Sequence, residues 1–262
     1  MSEPVSWERD GHVIQGRLRR ARGDGHGSCV LLLQGSPGNP EDVLGLGRRF
    51  SDHGYDAVTF NYSGTLDSGG LSSFEEAQRD IAVVHDWIVS NDGLGLDSSR
   101  LFLGGWSYGG GMAMVYAANH PEFRAVFSIA GTDHGEFMRE YERDLEYRRM
   151  IDSIFDEMAQ PGSHWRLAPG ATPRDVVADE GSVDPYDIRM VAARLADTSV
   201  LLVGGWDDTN VKIDTHLVPV YRTLRAHGAA DVSISSFQDG HDFGNVRDDL
   251  AATLLAWMDE RR

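Results

Sequence analysis

The 262-residue chain contains 41% hydrophobic residues, enough to bury the core of one α/β domain. Its net charge of −17 argues against a nucleic acid or an anionic membrane as a partner. Cys29 is the single cysteine, which excludes an intrachain disulfide, and its apolar surroundings in the sequence are typical of a buried structural thiol.

The amino-terminal segment has neither the basic stretch nor the apolar stretch of a secretion signal. No apolar run in the sequence is long enough to span a bilayer. We therefore expect a cytoplasmic protein that does not bind membranes. The sequence leaves its oligomeric state open.

The predicted elements alternate between strands and helices along the chain. Strands are expected, in chain order, at 5–9, 12–19, 29–33, 57–61, 101–104, 123–129, 200–204 and 232–237. Helices are expected at 42–53, 74–90, 111–118, 133–160, 185–196 and 248–260. This order predicts a single α/β domain over residues 1–262, with a mostly parallel, doubly wound sheet built from right-handed crossovers.

One connection is longer than a crossover requires. Residues 132–198 separate two predicted strands, and a simple crossover helix needs about a third of that length. Apolar residues recur every four positions in the first part of this interval, as in an amphipathic helix. We predict that residues 133–182 form a helical cap above the carboxyl ends of the strands, where open α/β sheets bind ligands.

The stretch Gly105-Trp106-Ser107-Tyr108-Gly109-Gly110 carries the strongest functional signal. It lies between a predicted strand and a run of small residues and Met that predicts a helix. A serine on such a sharp turn projects its hydroxyl from the sheet, and the flanking glycines leave room for the crowded backbone. The pattern Gly-x-Ser-x-Gly in this context predicts Ser107 as a nucleophile.

A serine nucleophile needs a base that removes its proton and a carboxylate that orients the base. Asp207 and Asp208 follow the seventh predicted strand, and His241 follows the eighth. We predict His241 as the base. Asp208 is the preferred acid, because Gly205-x-x-Asp208-x-x-Val211 matches a spacing common in such turns, and Asp207 stays open as the alternative.

The negative charge that develops during acyl transfer needs two backbone N–H donors, an oxyanion hole. Tyr108, directly after the nucleophile at the start of a predicted helix, is expected to supply one. The loop after the third strand is expected to supply the other from Ser36, because Pro37 has no N–H.

These motifs stand in the order serine, acid, histidine, and with them the chain resembles the α/β-hydrolase superfamily. The Gly-Trp-Ser-Tyr-Gly-Gly stretch is most similar to the catalytic domain of the prolyl oligopeptidase and dipeptidyl-peptidase group. The resemblance implies that Ser107 attacks, that Asp208 and His241 assist it, and that a covalent acyl-enzyme forms.

The resemblance covers about residues 28–131 and 185–262, and two positions depart from the group. Ser63 stands where the group usually carries an arginine. Gln34 stands where a histidine often precedes the glycine of the oxyanion loop.

Three functions agree with these features. The leading hypothesis is a serine hydrolase of small carboxylic esters. The second is a small aminopeptidase or acyl-peptide hydrolase, in which Asp133, Glu136 or Glu140 would bind a free amino terminus. The third is a non-catalytic ligand-binding protein on the same fold. The expected partner is accordingly a small-molecule ester or a short peptide.

Apolar side chains of the predicted cap and of the turn at Ser107 are expected to form the acyl or leaving-group pocket. They are Trp106, Phe137, Met138, Phe155, Met158 and Trp165. No pair of histidines has a metal-ligand spacing together with a carboxylate, so the sequence predicts neither a metal nor a cofactor.

Overall fold

A computed structural model describes residues 2–23, 27–36, 38–39, 42–95, 100–177 and 182–262. Eight strands form one sheet in the order β1-β2-β4-β3-β5-β6-β7-β8. They are β1 Ser2–Arg9, β2 His12–Arg19, β3 Ser28–Leu33, β4 Tyr55–Phe60, β5 Leu101–Trp106, β6 Ala125–Ile129, β7 Ser199–Gly205 and β8 Val232–Phe237. Strand β2 pairs antiparallel with β1 and β4, whereas β3 to β8 pair in parallel.

Helices cover both faces of the sheet. The α-helices are α1 Leu46–Asp52, α2 Phe74–Ser90, α3 Tyr108–Asn119, α4 His134–Arg143, α5 Leu145–Met158, α6 Pro173–Val177, α7 Ile188–Val191, α8 Val218–Ala226 and α9 Arg247–Asp259. Alternating side chains of β3 separate two cores. Leu31 and Leu33 pack in the core that includes α2 and α3, while Val30 and Leu32 pack in the core that includes α1 and α9. This strand is therefore buried on both faces, as parallel sheets require.

The predicted single helix 133–160 is wrong, because the segment forms α4 and α5. Asp144 interrupts it with an extended backbone, φ −109° and ψ 112°. Its carboxylate accepts hydrogen bonds from the N–H groups of Glu146 and Tyr147 and so caps α5. Short acidic side chains favour such caps over helix interiors, which explains the break.

The predicted helix 185–196 also divides into short pieces. Two 3₁₀ turns, Asp184–Tyr186 and Ala192–Leu195, flank α7. Asp187 caps α7 by accepting a hydrogen bond from the N–H of Arg189. At residues 42–53 the helix begins only at Leu46, since the Asp42 carboxylate binds the N–H groups of Val43, Gly47 and Arg48.

Helices α4 to α7 lie in the segment between β6 and β7. Helix α5 packs against α4 and α6. Beyond α5 the chain is tied to the loop after β4: the N–H of Arg166 donates to the carbonyl of Gly64, and the N–H of Ser72 donates to the carbonyl of Arg166. A cavity remains between α5 and the sheet.

Candidate active site

Ser107 occupies the turn between β5 and α3 in an unusual backbone conformation, with φ 55° and ψ −121°. Its N–H donates to the carbonyl of Ile129 at 2.8 Å, and its carbonyl accepts from the N–H groups of Gly111 and Thr132, each at 3.1 Å. Positive φ is costly for a residue with a Cβ atom. These three bonds hold the strained turn in place.

The glycines on either side of Ser107 are required by close backbone packing. A Cβ atom on Gly105 would lie 2.5 Å from the carbonyl of Gly109, and one on Gly109 would lie 2.3 Å from the carbonyl of Gln34. Backbone atoms cannot yield as flexible side chains do. The turn thus brings Ser107 close to the loop after β3.

Ser107, His241 and Asp208 are joined by two hydrogen bonds. The Oγ atom of Ser107 lies 2.9 Å from Nε2 of His241, and Nδ1 of His241 lies 2.7 Å from Oδ2 of Asp208. The other carboxylate oxygen of Asp208 accepts from the N–H groups of Asn210 and Val211, at 2.8 and 2.9 Å. Asp208 is buried and fixed, so it can orient the imidazole.

Asp207 points elsewhere. Its carboxylate is exposed and accepts a hydrogen bond from Nε2 of Gln238 at 2.8 Å. The structure therefore brings Asp208, and not its neighbour, to His241.

Asp239 braces the loop that carries His241, a role that sequence reasoning missed. Its carboxylate accepts from the N–H of Gly240 at 2.9 Å and from the N–H of Asn245 at 2.8 Å. These bonds stabilise the charged carboxylate and so lower the pKa of Asp239, and the bond from Gly240 contributes most. Trp106 steadies the same loop, since its Nε1 donates to the carbonyl of His241 at 2.9 Å. The sequence signal for this role was the pair Asp239-Gly240 directly before His241, because such pairs favour turns.

The two predicted oxyanion donors both border the cavity beside Ser107. Tyr108 is the first residue of α3, so its N–H has no acceptor within the helix. Ser36 lies in the loop after β3. Gly35 lets this loop approach closely, because a Cβ atom there would lie 2.5 Å from the indole of Trp106.

The cavity above Ser107 has a volume of about 340 Å³ and is mostly apolar. Among the described residues that line it there is no Asp, Glu, Lys or Arg. The one further titratable imidazole on its wall is His134, and burial lowers the pKa of this residue to about 3. His134 is therefore uncharged at neutral pH, and the cavity suits a neutral, apolar group.

Five of the six predicted pocket residues line this cavity: Trp106, Phe137, Phe155, Met158 and Trp165. The prediction of Met138 is wrong. Neighbouring side chains on a helix point about 100° apart, so Phe137 faces the cavity while Met138 is buried in the core. Met138 borders a separate small cavity with Arg139 and Val183.

Helix α5 supplies additional lining residues that the sequence analysis did not include. They are Tyr147, Met150, Ile151 and Ile154. Together with Phe155 and Met158 they recur at intervals of three and four, which places them along one face of the helix. This periodicity was visible in the sequence, but it does not distinguish a face that packs on protein from one that borders a cavity.

The three carboxylates considered for a free amino terminus lie outside the cavity lining. Asp133 is buried, and its Oδ2 lies 2.8 Å from Nε of Arg189. Glu136 pairs with Nε of Arg139 at 2.9 Å and with Arg143 at 2.6 Å. Burial, reinforced by the nearby carboxylate of Asp187, raises the pKa of Asp133 above its usual range. Asp133 and Glu136 both pair with Arg189 and so join α4 to α7, while Glu140 lies 3.6 Å from Nε2 of His216.

Ser63 stands where the prolyl oligopeptidase and dipeptidyl-peptidase group usually carries an arginine. In this protein the guanidinium of Arg9 lies beside Ser63. Its Nη2 donates to Oγ of Ser63 at 3.0 Å, and its Nε donates to Asp80 at 3.0 Å. Asp80 in turn accepts from the N–H of Ser63 at 2.6 Å. This buried network fixes the residue next to Tyr62, which lines the cavity.

Outside this site, one group of three potential metal ligands occurs among the described residues: His85, His120 and Glu122. Within the same part of the chain, no helix is both long and apolar enough to cross a lipid bilayer.

Residues 29–170, more than half of the chain, match the family model of the alpha/beta hydrolase fold. The chain therefore belongs to this family. The predicted fold and the predicted membership of the α/β-hydrolase superfamily are confirmed.

The most similar relatives include Cutinase 2 of Thermobifida cellulosilytica, which is 27% identical over 105 residues. That match spans 38% of this chain and 38% of the cutinase. The chain also superposes on an esterase of Pyrococcus furiosus, with TM-score 0.70 and 13% identity, over 99% of this chain and 90% of the esterase. An acylaminoacyl peptidase of Pyrococcus horikoshii superposes with TM-score 0.72 and 16% identity, over 99% of this chain and 41% of the peptidase. At these identities the two structures establish a shared fold.

Proposed function

We propose that the protein is a carboxylesterase that cleaves small, neutral carboxylic esters through an acyl-enzyme. The main support for this proposal is the chain of hydrogen bonds from Asp208 through His241 to Ser107. Ser107 borders an apolar cavity, and none of the described residues that line this cavity is Asp, Glu, Lys or Arg. Similarity to a cutinase supports an ester as the substrate.

In the first half-reaction, Oγ of Ser107 attacks the ester carbonyl while Nε2 of His241 takes the hydroxyl proton. Asp208 stabilises the resulting imidazolium. The N–H groups of Ser36 and Tyr108 stabilise the negative oxygen of the tetrahedral intermediate. His241 then gives its proton to the departing alcohol, which leaves the acyl group on Ser107.

In the second half-reaction, a water molecule loses its proton to Nε2 of His241 and attacks the acyl-enzyme. The carboxylic acid departs and Ser107 regains its proton. We propose that residues 133–182 act as the cap in this cycle, with the apolar face of α5 against the acyl or alcohol group.

The aminopeptidase alternative needs a carboxylate near Ser107 to bind a charged amino terminus. Asp133, Glu136 and Glu140 lie outside the cavity lining, which favours the ester. Cleavage of a peptide with a blocked, neutral amino end stays as the alternative, since an acylaminoacyl peptidase shares the fold.

Hydrolysis of p-nitrophenyl esters of graded chain length tests the proposal, with an acylated amino-acid nitroanilide measured in parallel. We expect ester turnover that falls by up to about a million-fold in Ser107→Ala and is unchanged in Ser90→Ala, an exposed serine on α2. Faster nitroanilide cleavage would favour the peptidase. Absence of turnover, together with no labelling of Ser107 by a fluorophosphonate, would favour a ligand-binding protein.

A further inference from the structure

Three potential metal ligands meet where α2 passes the turn between α3 and β6. His85 lies on α2, and His120 and Glu122 lie in the turn. One ligand atom from each residue can be chosen so that all three lie within 4.8 Å of one another. Nδ1 of His120 and Oε1 of Glu122 lie 3.0 Å apart.

His85 is prepared to act as a ligand. It is 5% exposed, so its ring is held by the surrounding packing. Its Nδ1 lies 3.2 Å from the hydroxyl of Tyr116. When Nδ1 carries the proton and donates to this hydroxyl, the ring is oriented and Nε2 keeps a free lone pair, which is the usual arrangement of a metal-bound histidine.

His120 and Glu122 complete the group. The ring of His120 stacks on Tyr116, with 3.9 Å between centroids and 12° between planes. Oε1 of Glu122 faces Nδ1 of His120, and the carboxylate of Asp86 adds negative charge near His85.

We propose that His85, His120 and Glu122 bind one divalent transition-metal ion, of which zinc is the best fit. Two imidazole nitrogens and one carboxylate oxygen are a donor set that zinc accepts, with water in the fourth position. The side chains of His120 and Glu122 are partly exposed, so they can rotate to close the distances around an ion. Because 35 positions separate His85 from His120, the spacing of residues along the sequence gave no sign of this site.

The location makes the ion structural. Helix α3 has twelve residues and spans about 18 Å. Ser107 precedes its first residue, whereas His120 follows its last. An ion at this end would join α2 to the α3–β6 turn and stabilise the fold without contacting the substrate.

Isothermal titration with zinc chloride tests the site, with thermal unfolding measured beside it. We expect one ion per chain and, at about 100 times the dissociation constant, a rise in Tm of roughly 5 °C or more. Both effects should be lost in His120→Gln and in Glu122→Gln, which replace partly exposed side chains. They should persist in His227→Gln, an exposed histidine at the end of α8.

A second variant separates this site from the active site. His241→Gln should still bind one zinc ion, because His241 lies at the opposite end of α3. The proposal is overturned if the unmodified protein shows no saturable zinc binding, if His120→Gln and Glu122→Gln bind as tightly as the parent, or if His241→Gln alone abolishes binding. None of these outcomes depends on ester turnover.

Discussion

The side-chain amide of Gln34 pairs with the backbone of Asn39 as one peptide group pairs with another. Nε2 of Gln34 donates to the carbonyl of Asn39 at 2.5 Å, and Oε1 accepts from the N–H of Asn39 at 3.0 Å. Gln34 is 2% exposed and Asn39 is exposed, so the two bonds are partly buried. The pair closes the loop that contains Ser36. Gln34 therefore positions the proposed oxyanion donor without touching the substrate.

Replacing Gln34 with Glu should lower kcat and leave KM nearly unchanged. The carboxylate cannot donate to the carbonyl of Asn39, so one of the two bonds is lost and the loop loses its fixed geometry. Loss of such a hydrogen bond costs on the order of 1 kcal/mol, which corresponds to about a 5-fold fall in kcat.

Steady-state kinetics on a p-nitrophenyl ester measure this effect, with Gln160→Glu, an exposed glutamine, as the matched control. A purely structural role for Gln34 would lower the melting temperature and leave the kcat of the folded enzyme intact. That result would contradict the positioning role.

Replacing Asp208 with Asn should reduce kcat by about 10,000-fold, whereas Asp207→Asn should change it little. An amide at position 208 cannot stabilise the imidazolium and favours the wrong tautomer of His241. Asp207 pairs with Gln238 at the surface, so its loss removes a contact remote from the reaction. The two variants differ by one position and are measured on the same ester. Equal losses would mean that the turn as a whole, and not one carboxylate, supports His241.

Local patterns account for most of the predictions that the structure supports. Alternation of apolar runs predicts the strands, and the glycines around Ser107 predict the turn, because both depend on neighbouring residues in the chain. The amide of Gln34 and the guanidinium of Arg9 escaped prediction, since each acts on a segment that only the fold brings near. The hydrogen bond from Arg9 to Asp80, for example, joins residues that are 71 positions apart in the sequence. Met138 was misassigned for a related reason: Phe137 and Met138 are adjacent apolar residues on α4, and only packing determines which one borders the cavity.

The pH dependence of stability should change when Asp80 is replaced with Asn. Burial raises the pKa of Asp80 to about 6, despite its bonds from Ser63 and Arg9. The folded protein thus holds a proton on Asp80 between about pH 4 and 6 that the unfolded chain releases, so ionisation of this residue destabilises the fold as pH rises. Asn cannot ionise and avoids this loss.

Urea unfolding of both proteins at pH 4, 5, 6 and 7 measures the difference. The free energy of unfolding of Asp80→Asn, relative to the parent, should rise by about 2 kcal/mol between pH 4 and 6 and then level off. Asp86→Asn, which replaces an exposed carboxylate on the same helix, is the matched control. A relative stability that is flat or falling with pH would show that Asp80 is ionised in the folded protein throughout.

Replacing Ile151 with Trp should shift the preferred ester toward shorter chains. Ile151 lines the cavity on the face of α5 that we propose contacts the substrate, and a larger side chain there removes volume from about 340 Å³. The discrimination available from one or two methylene groups in an apolar pocket is on the order of 10- to 200-fold. The ratio of kcat/KM for long and short p-nitrophenyl esters should fall by about 10-fold or more.

Leu145→Trp is the matched control, because Leu145 lies on the same helix, is exposed and does not line the cavity. It adds the same indole to α5 and should leave the ratio unchanged. If both variants shift the ratio equally, the change arises from a displaced helix and not from the cavity. If neither does, the ester chain lies elsewhere, against the loop after β4 or beside Val211, and the apolar face of α5 serves only to cover the site.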